Sequence, residues 1–404
     1  MKKYLPIILA LSVVKLIVQW LGNRNYGFHR DELLHLSVSE HLDWGFMEFP
    51  PLIGVLGKVS YWLFDYALVG VRLFPTLAGI TILILCCLMA IELGGKSRAV
   101  LLAGFCILAF LPFYRNHTLF QPVAFDQLFW TLGFYLVIKF INSQHKKYLI
   151  LAGLILGLGL LNKYTILVWA LGICVGLFFY RKGAVYRSKW LYVSGVLSFL
   201  IFLPNIIWQA QHGFPLIKHL QALHANQLDK VSPLEFGLEQ LNFPFTLIIS
   251  LLGLTALLID KRLRKYRAIG VAAIVIISTM WLLNAKAYYV FAIYPVLFAS
   301  GAVKVESIFA RKPAMVVVIA VVVLLHSIYF IPEATPILPI DTYVKYAGLE
   351  TENGRVELKG DYADMFGWEE QVQLVDSVYQ SLKLRYLGGE LRRGRGAKNT
   401  WKEI

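Results

Sequence analysis

Apolar residues fall in long, nearly unbroken runs separated by short polar clusters. A membrane-crossing helix needs roughly 20 mostly apolar residues, and runs of about that length lie near 4–21, 67–92, 99–114, 122–141, 190–208, 241–259, 268–284, 287–303 and 314–331. The run from Tyr148 to Tyr180 is longer than one crossing needs. It carries Asn162-Lys163-Tyr164 at its middle, which predicts two helices joined by a tight turn. The pattern predicts an all-α polytopic membrane protein with about 11 transmembrane helices. No periodic repeat or low-complexity segment interrupts it.

Composition agrees with a lipid solvent. Apolar side chains make up 58% of the chain and charged ones 16%, against about 25% charged in soluble domains. The net charge of +14 would suggest nucleic acid in a soluble protein. Here the basic residues cluster between apolar runs, so nucleic acid is rejected as a partner. With the split at Lys163, the clusters Gly94–Arg98, Gln144–Lys147, Arg181–Lys189, Lys261–Arg267 and Lys304–Lys312 share one side with Lys2 and Lys3. The positive-inside rule makes that side the cytoplasm. The expected location is the cell (inner) membrane, with the N-terminus cytoplasmic and the C-terminus extracytoplasmic. The first apolar stretch resembles a signal peptide but lacks a small-residue cleavage site, so it reads as the first span.

The other face then receives a first loop at 22–66, a second at 209–240, short turns near 115, 163 and 285, and everything from 332 onward. Residues 1–331 read as a transmembrane catalytic domain. Residues 332–404 read as a small extracytoplasmic region, with an amphipathic helix near Glu369–Leu382 and a glycine-rich basic tail at 383–404. Gly153, Gly157 and Gly159 form a small-residue stripe suited to close helix packing. Cys86, Cys87, Cys106 and Cys174 lie in apolar runs without CxxC or Cys/His spacing, which indicates neither disulfides nor a metal cluster.

Candidate chemistry gathers on the face opposite the basic clusters. Asp31 and Glu32 follow the first span, Glu48 lies later in the same loop within Met47-Glu-Phe-Pro-Pro-Leu52, and Asp126 opens the fourth apolar run. Carboxylates so near a bilayer are costly unless paired or wet. A helix cap or a loop salt bridge explains any one of them, but three positions converging on one face suggest a site. The basic residues left on that face need reasons as well: Arg30, Arg72, Lys163 and Lys286. Lys58 and Arg115 read as snorkelling to headgroups. Arg as a bidentate fork and Lys as a point charge suit a lipid phosphate. Such a set fits attack of an acceptor hydroxyl or amine on a sugar C1 while a lipid phosphate departs. A carboxylate takes the proton, cations stabilise the leaving group, and single displacement inverts the anomeric centre.

In order and on one face, Arg30-Asp31-Glu32, Glu48-Phe-Pro-Pro-Leu52, Asp126 and Lys286-Ala-Tyr-Tyr-Val-Phe-Ala-Ile-Tyr-Pro295 resemble the GT-C class of membrane glycosyltransferases. The likeness is to the glycosyltransferase family 39-like group of protein O-mannosyltransferases and the aminoarabinose transferase, and it runs over about the first 330 residues. The resemblance implies transfer of a hexosyl or pentosyl unit from a polyprenyl-phosphate donor to a lipid or protein acceptor, with Asp31 as base. Glu32, Glu48 and Asp126 would line the same catalytic cavity, and Arg30, Arg72, Lys163, Lys286 and Tyr288 would hold the donor phosphate. Some members bind a divalent metal ion through a carboxylate at the Glu48 position and a histidine of the later loop. His212, His219 and His224 are the candidates here, and no metal site is assigned. The group usually carries a larger folded outer domain than this chain does. The competing functional class is a transporter or flippase of lipid-linked sugar, whose intramembrane charges mark a substrate path. It would show matching halves with broken helices, and the sequence shows none.

Overall fold

The computed structural model describes residues 2–226, 232–350, 356–358 and 360–393, with side chains up to 382. It is all-helical, with no strand among the described residues. The first loop carries α2 (Arg30–Ser37) and α3 (Leu52–Phe64) after α1 (Leu5–Asn23). The bundle continues through α4 (Leu68–Glu92), α5 (Ser97–Ala109), the short α6 (Pro112–Thr118), α7 (Pro122–Ser143), α8 (Lys147–Leu160), α9 (Ile166–Phe178) and α10 (Lys189–Gln211). A surface pair, α11 (Pro215–Asn226) and α12 (Pro233–Leu241), precedes α13 (Pro244–Ile259), α14 (Arg267–Leu282), α15 (Tyr294–Ile308) and α16 (Ala314–Ile328). The last part holds α17 (Ile331–Ala334), α18 (Ile340–Ala347) and α19 (Trp368–Arg393).

Helices lie where the apolar runs predict, and the long run does divide at Asn162-Lys163-Tyr164 between α8 and α9. Six helices are long and apolar enough to cross a membrane, or up to nine if each of three bent pairs is one crossing. The bends are 69° between α5 and α6, 109° after α9, and 106° between α12 and α13. Pro112 and Pro244 open the second helix of two of these pairs. Proline is tolerated at a helix start but cannot continue the preceding hydrogen-bond ladder.

Close helix contacts use glycine. A methyl group on Gly153 would meet the Ser194 backbone of α10, and one on Gly253 of α13 would meet the Leu297 carbonyl of α15. Such contacts pack helices where lipid supplies no hydrophobic drive of its own. The Gly153 stripe therefore does the packing its spacing predicts. The core is aromatic at its centre, where Phe110 stacks on Tyr294 and packs edge-on against Phe113 and Phe291.

The residues beyond α16 fold back onto the first loop. Leu119, Tyr343, Val344, Leu349, Tyr362 and Met365 form a small apolar cluster. Asn25 Nδ2 donates to the Pro336 carbonyl at 2.7 Å and the Tyr26 hydroxyl to that of Leu338 at 3.0 Å. The helix expected near Glu369–Leu382 is present as part of α19, and its side chains to Leu382 are exposed. The basic tail beyond Arg393 lies outside the described residues.

Candidate active site

The first turn of α2 is built by a capping box. The His29 ring Nδ1 accepts from the Asp31 N–H at 3.0 Å, and Glu32 Oε2 accepts from the His29 N–H at 2.9 Å. This arrangement satisfies orphan donors at the helix start. It also sends neighbouring carboxylates in different directions. Asp31 is 39% exposed and Glu32 fully buried.

Glu32 and Arg72 of α4 bind each other in the protein interior, with Nε–Oε1 at 3.1 Å and Nη2–Oε2 at 2.9 Å. Arg72 also donates to the carbonyls of Asn23, Asn25 and Gly27, at 3.4, 3.2 and 2.7 Å. Guanidinium has five N–H donors, and all are used. Glu32 accepts in addition from the Phe120 N–H at 2.9 Å. This corrects the expectation for both residues. Arg72 has no N–H left for a lipid phosphate and Glu32 no solvent-facing oxygen for a proton, because the pair locks the first loop to α4 and to the start of α7.

Asp31 stays open. Its Oδ2 accepts from Gln121 Nε2 at 3.0 Å, and Arg30 Nε lies 3.4 Å from its Oδ1. Gln121 immediately precedes α7, so the segment from Phe120 to Asp126 touches both carboxylates in the first turn of α2 and carries Asp126 itself. Asp126 is buried, with Oδ1 accepting from the Trp130 indole at 3.0 Å and Oδ2 from the Thr165 hydroxyl at 2.7 Å. Asn162 Nδ2 donates to the Pro122 carbonyl at 2.9 Å, and the Leu52 N–H to the Leu161 carbonyl at 2.9 Å. The Pro-Pro-Leu stretch, the start of α7 and the Lys163 turn thus meet.

Lys163 Nζ sits 4.5 Å from the centre of the Tyr289 ring and 5.7 Å from that of Tyr288. Tyr289 lies within the electrostatic reach of Lys163, Lys286 and Asp126, and Tyr288 within that of Arg115 and Asp31. The two tyrosines pack edge to face at 4.5 Å. They therefore bridge an Asp31–Arg115 side and an Asp126–Lys163–Lys286 side.

Arg115 is the residue the sequence reading missed. It forms a bidentate pair with Asp361, through Nε to Oδ2 and through Nη2 to Oδ1 at 2.6 Å. Asp361 also lies 3.4 Å from His29 Nε2, and Asp364 lies 3.6 Å from the same nitrogen and 3.3 Å from Arg30 Nη2. Burial alone would raise the Asp361 pKa, but Arg115 and His29 outweigh it and hold the carboxyl well below the usual range. The available signal was Arg115-Asn-His117, a polar stretch too rich to be lipid contact alone. Burial also holds the nearby His35 imidazole, packed 4.9 Å from the Phe49 ring, at a pKa of about 4.

Glu48 is exposed, and among the described residues it has no hydrogen-bond or ion-pair partner. The His212 ring stacks on Trp208, and its Nδ1 pairs with the Trp208 carbonyl at 2.8 Å, while His219 and His224 lie on the exposed α11. Among the described residues no group of three His, Cys, Asp or Glu side chains is placed to hold a metal ion. These residues do not fit the divalent site that the resemblance implies for some members.

Residues 48–208 match the family model described as dolichyl-phosphate-mannose-protein mannosyltransferase. ArnT from Cupriavidus metallidurans, crystallised with undecaprenyl phosphate, is similar in structure with a TM-score of 0.61 at 16% identity. The alignment covers 77% of this chain and 62% of that one. An oligosaccharyltransferase of Archaeoglobus fulgidus, tethered to an acceptor peptide, gives 0.59 at 13% identity over 82% of this chain and 55% of that one. The archaeal oligosaccharyltransferase AglB from the same organism, in complex with an inhibitory peptide and a dolichol-phosphate, gives 0.50 at 12% identity over 81% and 55%. No curated protein matches the sequence. The chain thus spans less than two thirds of the length of these structural neighbours. The matched segment is less than half of the chain, and the structural neighbours, 16%, 13% and 12% identical, share its helical fold.

Proposed function

We propose that the protein moves a hexosyl or pentosyl unit from a polyprenyl-phosphate donor to a lipid or protein acceptor on the extracytoplasmic side of the cell membrane, with inversion. The topology proposed with it is eleven crossings, a catalytic domain over 1–331 and a small outer region over 332–404. The observation that carries the reading is the contrast within the first turn of α2. Glu32 is spent on Arg72, while Asp31 keeps a solvent-facing carboxylate whose second oxygen is steadied by Gln121. In the proposed step the acceptor O–H or N–H attacks the sugar C1 and its proton passes to Asp31. The bond from C1 to the phosphate oxygen breaks, and the electron pair leaves with the lipid phosphate. Lys163 and Lys286, with the Tyr288–Tyr289 pair between them and Asp31, are the cations proposed to hold that phosphate. An apolar cavity of about 180 Å³ lined by Phe236, Leu251, Leu254, Ile293 and Leu297 suits the polyprenyl chain. Asp126, held by Trp130 and Thr165, is proposed to position the Lys163 turn.

The test is Asp31→Asn, which keeps shape and removes the proton acceptor. Binding of a polyprenyl-phosphate sugar should persist while transfer falls by about the 10²- to 10⁴-fold that general base catalysis contributes. Native transfer rates in this variant would remove Asp31 as the base.

A further inference from the structure

The loops that join α4 to α5, α7 to α8, α13 to α14 and α15 to α16 meet at the end of the bundle away from Asp31. α4 sets the distance. Arg72, near its start, pairs with Glu32 at the Asp31 end, and Glu92, its last residue, lies twenty positions on, about 30 Å along the axis at a rise of about 1.5 Å per residue. There Lys139 Nζ and Asn142 Nδ2 donate to the Glu92 carboxylate, both at 2.8 Å, and the Tyr266 hydroxyl donates to the Glu92 carbonyl at 2.8 Å. Lys304 Nζ pairs with Asp260 at 2.6 Å.

A cavity of about 420 Å³ opens at this end, between the start of α5, the Arg262–Leu263 turn and the junction of α15 with α16. Glu306 is the one carboxylate among the described lining residues, and both its oxygens are engaged. Oε2 accepts from the Lys96 N–H at 2.7 Å and Oε1 from the Ala99 N–H at 3.0 Å, which closes the first turn of α5. The Ser307 hydroxyl accepts from Arg262 Nη1 at 2.8 Å. The groups left over are donors. The Lys96 ammonium and the Arg98 guanidinium make no hydrogen bond or ion pair among the described residues, and Arg262 has spent one guanidinium N–H of its several. Three cations thus line one cavity whose acceptors are taken, a setting for a phosphate group, with its several acceptor oxygens.

The rest of the lining is apolar and includes Leu93, Phe309, Pro313 and Val316. α16, which carries Val316, leaves Met315, Val318, Val322 and Leu325 exposed on successive turns. A free phosphate would use the cations alone. A lipid uses the cations for its headgroup and the apolar stripe for its acyl chains, and basic pockets between membrane helices hold anionic headgroups in this way. The orientation rule gathers Lys and Arg at one end of a bundle in any case. It does not account for a cavity among them, nor for a carboxylate held off them by backbone N–H groups.

We propose that this cavity binds the headgroup of an anionic phospholipid. The phosphodiester lies among Lys96, Arg98 and Arg262, and the acyl chains lie along α16. The bound lipid ties the start of α5 to the α13–α14 turn and to the α15–α16 junction, and it does so whether or not the chain transfers sugar.

The experiment titrates the full chain, purified in detergent, with phosphatidylglycerol or phosphatidylcholine and reads binding by native mass spectrometry and by the thermal unfolding midpoint. Phosphatidylglycerol should bind as a single discrete adduct and raise the midpoint, as a ligand of the folded state does, and phosphatidylcholine should do neither. A Lys or Arg at an anionic surface contributes about 1 kcal/mol. Lys96→Gln combined with Arg98→Gln, both exposed positions, should therefore weaken phosphatidylglycerol binding about 30-fold, or about 2 kcal/mol. Ala310→Trp, which fills the cavity from an exposed position and changes no charge, should weaken it as well. Lys182→Gln combined with Arg187→Gln removes the same charge at the same end but outside the cavity, and should leave the affinity unchanged. Equal binding of the two lipids, or an equal loss in the Lys182 and Arg187 variant, makes the attraction one of diffuse surface charge and overturns the proposal. So does inorganic phosphate that raises the midpoint by itself and displaces the lipid, since the ligand is then a free anion.

Discussion

Arg72 and Glu32 lie forty positions apart in sequence and close on each other through two hydrogen bonds in a space with no solvent exposure. Removing one partner of a buried pair leaves an uncompensated charge, at a cost of about 3–5 kcal/mol. Arg72→Met and Glu32→Gln should each lower the thermal unfolding midpoint in detergent sharply, and the double variant should lose less than the two effects added. A stable Arg72→Met protein with weakened donor binding would return Arg72 to the phosphate site.

Lys163 and Lys286 should behave differently. Charge sits on the donor phosphate in the ground state and the transition state alike, so Lys163→Ala or Lys286→Ala should weaken donor binding as well as kcat/KM. Arg30, 60% exposed and paired with Asp364, should tolerate alanine with little change in donor affinity. Isothermal titration with a short-chain polyprenyl-phosphate sugar separates the cases. Unchanged affinity in both lysine variants would leave the phosphate without its proposed clamp.

How far the sequence carries the reader differs by type of inference. Helix positions, the division at Lys163 and the placing of Asp31, Asp126, Lys163 and Lys286 in one neighbourhood follow from apolar run lengths and charge parity, which are one-dimensional. The Glu32–Arg72 pair was not legible, because Asp31 and Glu32 look alike until the capping box turns one inward. Arg115 was read as a lipid-facing snorkel because its partner, Asp361, lies 246 residues away. The helix breaks at Phe110 and Asn242 were signalled by Pro112 and Pro244, but run length alone hid them.

His35 should contribute a pH dependence to stability. Its imidazole is held at a pKa of about 4, against 6.5 for the ordinary group, mainly by burial. A depressed pKa means that folding favours the neutral ring. The contribution is whole above pH 6.5 and lost as pH falls toward 4, at about 1.4 kcal/mol per unit. Unfolding midpoints of the wild type should drop over that window, and His35→Gln should flatten the drop. A wild-type profile level from pH 7 to 4 would contradict the burial.

Prolonged treatment with a strong chelator should leave transfer activity unchanged, since Glu48 and the three histidines assemble no donor set among the described residues. Activity lost to chelation and restored by one divalent ion would require ligands outside that set.

The docking of Gly360–Met365 on His29, Arg30 and Arg115 also bears on biogenesis. The two arginines are translated early, and their counter-ions arrive some 250 to 330 positions later. Contacts of such sequence separation form last, after the entropy of closing the intervening chain has been met. During synthesis the nascent bundle therefore carries unpaired positive charge on the face proposed to be extracytoplasmic, where the orientation rule disfavours it. A chain stalled before Gly360 would hold α1 to α18 and lack the counter-ions, so this electrostatic clasp closes only after the bundle through α16 has been made.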